Sequence, residues 1–153
     1  MKLSTKGRYA MIALVDLALE AGDGLVSLGE ISTRQSISLA YLEQLFVRLR
    51  RAGIVESVRG PGGGYRLAAD PSAIRICEIL QAVDEGMDAM TKGGGAKGAT
   101  SGSRAQSVSN RFWEGLSAHV YVYLHQARLE DVVNNQMAPC PAVPSLFQLV
   151  DEK

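Results

Sequence analysis

Five arginines lie within one short stretch of the chain, residues 45–66. Glu56 is the one acidic residue in this stretch, although the whole chain has 16 basic and 16 acidic side chains. A local excess of guanidinium groups favours a polyanionic ligand over a small metabolite. The arginines are Arg48, Arg50, Arg51, Arg59 and Arg66. The first three are predicted to contact phosphate groups.

Polar side chains just before these arginines have the chemistry to read base edges. The amide of Gln44 can pair with adenine, and the carboxylate of Glu43 can accept a hydrogen bond from the amino group of cytosine. Because a carboxylate on a phosphate-facing surface repels DNA unless it meets a donor, Glu43 is a candidate for specificity and not for affinity. The alternative is the solvated face of an ordinary helical bundle, since a helix-turn-helix by itself does not prove DNA binding.

A glycine-rich segment, RGPGGGYR at residues 59–66, lies between two apolar runs. Such turns either reverse a hairpin or cradle phosphates. No Lys-Ser or Lys-Thr pair and no helix start follow the glycines, which argues against a nucleotide-binding loop. The segment therefore predicts a hairpin wing whose Arg59 enters the minor groove. A plain hairpin turn is the alternative.

Few residues could perform catalysis or bind a metal. His119 and His125 lie six positions apart on a predicted helix, so they face different directions and match no metal-binding pair. Cys77 and Cys140 lie 63 positions apart, which disfavours a disulfide framework. Cys77 is predicted to be a buried structural thiol, and Cys140, between two prolines, an exposed one that could oxidise or bind metal. With no nucleophile, base and oxyanion donor to combine, the sequence argues against an enzyme.

Periodicity and capping predict the elements that position these residues. The predicted helices cover residues 8–21, 28–34, 39–52 and 75–85, and the predicted strands cover 54–58 and 65–67. Ser27 and Glu30 form a capping box, and Ser38 can cap the third helix. The predicted inner face of the first helix consists of Met11, Ile12, Leu14, Val15, Ala18 and Leu19. Three helices followed by a hairpin are typical of a winged helix-turn-helix, so the predicted fold is mostly α with a DNA-binding domain over residues 1–90.

The second half of the chain has a different composition. Residues 91–109 are rich in glycine and serine and predict a flexible loop. Residues 110–136 predict a long dimerisation helix, whose apolar side chains exceed what the small core could cover, and a last short helix over 129–134. Residues 137–153 predict an extended tail. No membrane span or signal peptide is predicted, so we expect a cytoplasmic protein that does not bind a membrane.

Four segments in order resemble the winged-helix repressor family that includes the iron-sulfur cluster regulator IscR, the nitric-oxide sensor NsrR and the cysteine-metabolism regulator CymR. They are LSTKGRYA at residues 3–10, ISLAYLEQLF at 37–46, VRGPGGGY at 58–65 and VDE at 83–85. A fifth segment, LEDVVNNQ at 129–136, resembles the IscR-like branch in particular. The resemblance covers about residues 2–90 and supports the winged-helix prediction.

The resemblance implies a homodimer that binds an imperfect inverted repeat in double-stranded DNA. It further implies control, mainly repression, of iron-sulfur cluster assembly and iron metabolism genes. Tyr41, Glu43, Gln44 and Arg59 match the DNA-contacting residues of the family, whereas Ala40 stands where a serine is common in the IscR-like branch. The complete set of candidate DNA-binding residues is Ser38, Ala40, Tyr41, Glu43, Gln44, Arg48, Arg50, Arg51, Arg59 and Gly60.

The residues that hold the family's cofactor are a second point at which this sequence differs from the family. In the cluster-binding members, three cysteines of the glycine-rich loop and a following histidine hold a [2Fe-2S] cluster. Here residues 92–106 contain no cysteine, and Asn110 stands where the histidine is expected. The remaining candidate ligands are Cys77, Cys140, His119 and His125. Three interpretations stay open: a cluster held by these other groups, a cluster-free regulator, or ligands removed by engineering. Natural loss of the cluster ligands fits best, because the whole loop has a different sequence, which substitution of three cysteines alone would not produce.

Overall fold

A computed structural model describes residues 4–22, 24–84 and 103–137 of the chain. Its elements in order are α1 (Thr5–Glu20), α2 (Leu28–Gln35), α3 (Leu39–Arg51), β1 (Val55–Val58), β2 (Gly64–Leu67), a 3-10 turn (Pro71–Ala73), α4 (Ile76–Ala82), α5 (Arg104–Gln126) and α6 (Leu129–Val133). The predicted mostly α fold with three helices and a hairpin is confirmed. The strands β1 and β2 form an antiparallel pair with Val55 opposite Leu67 and Val58 opposite Gly64.

Capping residues determine where α2 and α3 begin. The backbone N–H of Ser27 donates to Glu30 Oε2 at 2.7 Å, and the N–H of Glu30 donates to Ser27 Oγ at 3.3 Å. The bond from the Ser27 backbone lowers the pKa of Glu30, because it favours the charged carboxylate. At α3, the N–H of Tyr41 donates to Ser38 Oγ at 3.5 Å. Both predicted caps are therefore present.

The hydrophobic core joins α1, α2, α3 and α4 to the last helix, α6. Phe46 and Leu129 are both completely buried, although the 23-residue helix α5 lies between α6 and the rest of the core in sequence. Two backbone hydrogen bonds hold the chain in place where it returns to the core after α5. The Ile76 N–H donates to Ala127 O at 3.0 Å, and the Leu129 N–H donates to Ile74 O at 2.9 Å. The end of the predicted dimerisation region thus contributes to the core of the winged helix.

The predicted inner face of α1 is partly wrong. Ile12 is 40% exposed and Leu19 is 60% exposed, whereas the core residues of this helix are Ala10, Ala13, Leu14 and Leu17. Apolar residues surround most of α1, so periodicity alone does not determine which stripe faces the core. The choice depends on how α1 packs against α2, α3, α4 and α6.

Two predicted boundaries also differ from the structure. The long helix begins at Arg104, not at residue 110, because Ser103 caps it by accepting from the Gln106 N–H at 3.2 Å. Helix α4 ends at Ala82, ahead of the predicted end at residue 85, and Asp84 then adopts a left-handed conformation with φ 57°. Residues 85–102, which include much of the predicted glycine-rich loop, and the tail from residue 138 lie outside the described residues.

Candidate nucleic-acid interface

Helix α3 has one face in the core and one face in solvent. Leu42, Leu45, Phe46 and Leu49 are buried. The exposed positions of the helix include Ala40, Glu43, Gln44, Arg50 and Arg51. A helix anchored on one side with exposed polar groups on the other is the geometry that reads a DNA groove. The structure therefore brings most of the predicted DNA-binding residues of α3 onto one accessible surface.

Tyr41 is held at the start of α3 by an aromatic neighbour that the sequence did not indicate. Its ring meets the ring of Tyr9 on α1 edge to face, with centroids 5.6 Å apart and planes at 87°. Both tyrosines are half-buried. The Ser38 hydroxyl accepts from the Tyr41 N–H, which leaves its proton available to a phosphate or base. The two candidate residues thus occupy one fixed corner of α3.

The wing is attached to the same core. Tyr65 on β2 packs edge to face on Phe46 of α3, with ring centroids 4.9 Å apart. The Tyr65 N–H also donates to Val26 O at 2.7 Å, and this approach is so close that a Cβ on Gly64 would meet Val26 O at 2.6 Å. Only glycine fits at residue 64. The wing and the exposed face of α3 therefore have a defined relative position.

The wing tip presents Arg59 and Gly60. Both residues are exposed, and Gly60 has φ 112°, which an L-residue rarely adopts. The turn is closed by the Gly63 N–H donating to Gly60 O at 2.9 Å. The predicted hairpin is confirmed, and Arg59 is exposed directly after β1, where the turn begins.

Three of the five arginines have partners within the protein. Arg48 forms an ion pair with Asp84, and Arg66 pairs with Glu56 at 3.0 Å. Arg50 Nη1 donates to Ser57 Oγ on β1 at 3.3 Å. Among the described residues, no hydrogen bond or ion pair is found for the guanidinium groups of Arg51 and Arg59. The arginine cluster is therefore divided into internally paired side chains and two that are open to a ligand.

The sequence did not predict the partners of Arg48 and Arg50. Asp84 lies 36 residues from Arg48, and Ser57 lies seven residues from Arg50 across the turn that follows α3. An exposed aspartate after a short helix has no local pattern that indicates such a partner. Tertiary packing alone brings these groups together.

The three candidate metal ligands that the structure describes, Cys77, His119 and His125, are not brought together as one group. His119 Nδ1 lies 2.8 Å from Gly115 O, and His125 Nδ1 lies 2.9 Å from Tyr121 O, so each ring is bonded to its own helix. Cys77 is buried in the core as predicted, and Cys140 lies outside the described residues. Within the described ranges, no group of three His, Cys, Asp or Glu side chains could hold a metal ion. The donors in these ranges therefore do not form the set of three cysteines and one histidine that the resemblance implies.

Helix α5 exposes many apolar side chains along its length. None of its residues is buried, although 23 residues give it a length of about 35 Å. The exposed large apolar residues of α5 are Val108, Phe112, Trp113, Leu116, Tyr121, Val122 and Tyr123. No helix of the described part of the chain has the length and hydropathy needed to cross a membrane.

The recognition-type helix, the anchored wing and the exposed basic tip define a winged helix-turn-helix protein of the DNA-binding class. Residues 3–135 match the Rrf2 family, whose description is iron-dependent transcriptional regulator. The chain belongs to this family, and it is a DNA-binding transcriptional regulator and not an enzyme.

Individual relatives agree with this assignment. The chain is 68% identical to the HTH-type transcriptional regulator IscR of Cereibacter sphaeroides, over 99% of each chain. The solved structure of CymR, the global cysteine regulator of B. subtilis, has a TM-score of 0.75 at 31% identity and covers 89% of this chain and 98% of that one. The structure of T. potens IscR has a TM-score of 0.63 at 37% identity, covering 90% and 93%. The predicted IscR-like resemblance is confirmed.

Proposed function

We propose that the protein is a homodimeric regulator, mainly a repressor, that binds an imperfect inverted repeat and controls iron-sulfur cluster assembly and iron metabolism genes. The observation that carries the DNA step is the exposed face of α3, where Glu43 and Gln44 stand free of the core while the other face is buried. Arg51 and Arg59 add guanidinium groups beside that face and at the wing tip. Base contacts from α3 and phosphate contacts from its flanks are the division of roles that specific DNA binding requires.

The dimer step is supported by α5. So many exposed large apolar side chains on one helix are unusual on a monomeric protein. A second copy covering α5 would form a two-fold symmetric dimer, and two-fold symmetry of the protein matches an inverted repeat in DNA. Sedimentation of the purified protein should give twice the chain mass, and a monomer with full operator affinity would contradict this step.

The choice of target genes is supported by the relatives. The C. sphaeroides relative is named an HTH-type transcriptional regulator IscR, and the family is described as iron-dependent transcriptional regulators. Identity of 68% extends over 99% of the chain and so includes α3. Chromatin immunoprecipitation followed by sequencing should recover promoters of iron-sulfur assembly and iron metabolism genes. Recovery of unrelated promoters alone would reject this assignment.

The proposal about the [2Fe-2S] cluster follows from the metal ligands that the chain offers. We propose that the [2Fe-2S] site is atypical or absent, because residues 92–106 offer no thiolate and Asn110 stands where the family's histidine is expected. If the site is absent, protein purified without oxygen should be colourless and free of stoichiometric iron and sulfide, whereas visible absorbance with both would indicate an atypical site. Absorbance that survives in Cys140→Ser would exclude the tail as a ligand and direct attention to Cys77, His119 and His125.

A second candidate function is a cluster-free winged-helix regulator that acts through a protein partner. It is favoured by the ion pairs of Arg48 with Asp84 and of Arg66 with Glu56, which reduce the free positive charge near α3. Salt titration distinguishes the two functions, since phosphate contacts release counterions and give a steep loss of binding with salt. A shallow salt dependence on DNA together with tight binding to a protein would favour the second function.

Gln44→Ala is expected to weaken binding to the specific site by about 1–3 kcal/mol and to leave binding to random DNA nearly unchanged, because a bidentate base contact is lost. The specific site is first selected from a random duplex pool with the wild-type protein, and affinities are measured by fluorescence anisotropy. Gln81→Ala, the same change at an exposed position of α4, is the matched control. Equal losses on both DNAs would show that Gln44 reads no base.

Arg59→Ala is expected to weaken DNA binding by about 1–3 kcal/mol, because the wing tip loses its minor-groove cation. Arg66→Ala is the matched control in the same hairpin, since Arg66 is paired with Glu56 and should contribute little. Both are measured at one near-physiological salt concentration. If Arg59→Ala binds as tightly as the wild type, the wing does not take part in binding.

A further inference from the structure

Asp84, two residues after the end of α4, forms an ion pair with Arg48 of α3. The carboxylate of Asp84 meets Arg48 Nη1, and the side chains of Arg48 and Asp84 remain 40% and 73% exposed. Asp84 adopts φ 57°, a left-handed conformation that few residues other than glycine, asparagine and aspartate accept readily. Residue 84 thus combines a left-handed backbone conformation with a carboxylate that reaches α3.

Arg48 lies on the part of α3 that leads to the candidate base-reading residues. It follows Gln44 by four residues and Tyr41 by seven, the spacing that places side chains along one side of a helix. An arginine here has the reach and charge for a backbone phosphate next to the groove. In the structure its guanidinium is instead turned toward Asp84.

We propose that Asp84 is a positioning residue that competes with the DNA backbone for Arg48 and so lowers the affinity of α3 for DNA. This inference rests on the proposed DNA-binding function. The exposed guanidinium can bind either the carboxylate or a backbone phosphate, and while Asp84 holds it Arg48 is not available to phosphate. While the pair persists, one fewer arginine neutralises phosphate, and one fewer counterion is released on binding.

Asp84→Asn tests the proposal with little structural change. Asparagine has nearly the same shape and tolerates the left-handed conformation, so the turn after α4 is preserved while the charge is removed. The variant should bind a short random-sequence duplex more tightly than the wild type. The slope of log affinity against log salt should steepen by about 0.9, the value for one additional phosphate contact. Between about 200 mM and about 50 mM salt, the variant should therefore gain about threefold more affinity than the wild type.

Arg48→Gln and the double variant Arg48→Gln/Asp84→Asn show whether Asp84 acts through Arg48. Asp84→Asn should have no effect when residue 48 is glutamine. Glu130→Gln, which removes one charge from an exposed position of α6, is the control for net charge and should leave the slope unchanged. Thermal unfolding of all variants should show similar midpoints, because an exposed pair contributes little to stability.

The outcomes separate this inference from the proposed function. If Asp84→Asn steepens the slope equally with arginine or glutamine at residue 48, Asp84 acts by simple repulsion and the positioning role is wrong. If the wild type binds DNA and Asp84→Asn binds with an unchanged slope, the inference fails while the proposed function stands. If the wild type shows no salt-dependent DNA binding, the proposed function itself fails.

Discussion

Replacement of Asp16 by alanine is expected to lower the free energy of unfolding by about 3 kcal/mol. Asp16 is 4% exposed, and its carboxylate connects α1 to α2. It accepts from Arg34 Nε at 3.0 Å, from Arg34 Nη2 at 2.7 Å and from Gln35 Nε2 at 2.6 Å. Hydrogen bonds to a buried charged acceptor are among the stronger ones in proteins. The Arg34 side chain is 33% exposed, so water recovers part of the loss and keeps it below the upper range for broken buried pairs.

The effect of Asp16→Ala should depend on pH. The hydrogen bond from Arg34 holds the pKa of Asp16 below its ordinary value and outweighs the opposing effect of burial. A lowered pKa in the folded state contributes stability above the pKa of the unfolded aspartate, about 3.9, and that contribution disappears as pH falls through the folded-state pKa. Wild type and variant should therefore differ fully at pH 7 and converge in acid.

Urea unfolding of both proteins at a series of pH values measures this difference. Arg34→Ala and the double variant complete a cycle that isolates the coupling between the two side chains. The coupling should be of the order of 1 kcal/mol or more at pH 7. A pH-independent difference between wild type and Asp16→Ala would show that the ion pair is not the source of the stability.

Leu129→Ala is expected to cost about 2–5 kcal/mol of folding free energy, the usual range for truncating a fully buried leucine. Leu129 has no exposed surface and packs in the core shared with α1 and α4. The neighbouring Arg128 Nη1 donates to Ser72 O at 2.8 Å, which helps to fix the short helix α6 against the 3-10 turn. The loss should be large because these rigid contacts prevent the cavity from closing.

Val133→Ala, at a half-buried position of the same helix, is the matched control and should cost clearly less. Chemical denaturation followed by circular dichroism measures both variants. If the two substitutions cost the same, α6 rests on the surface of the winged helix and does not belong to its core.

Local interactions made much of the winged helix predictable. The capping box at Ser27, the N-cap at Ser38 and the glycine-rich reversal at residues 59–64 involve neighbours within a few positions, and each was found as predicted. The start of α5 at Arg104 was missed, because its cap lies inside a stretch whose overall composition resembles a loop. Composition averaged over many residues conceals a single capping serine.

The sequence by itself therefore determined the helices, the hairpin, the family and the identity of the exposed polar residues on α3. Each of these depends on periodicity, on short-range hydrogen bonds or on motifs that stand together in the chain. Only the tertiary structure decided which arginines are paired, since Arg48 meets Asp84 across 36 residues. It also decided that Ile12 and Leu19 face solvent and that Leu129 is in the core. These outcomes depend on how rigid elements pack around a shared core, and periodicity along one helix does not contain that information.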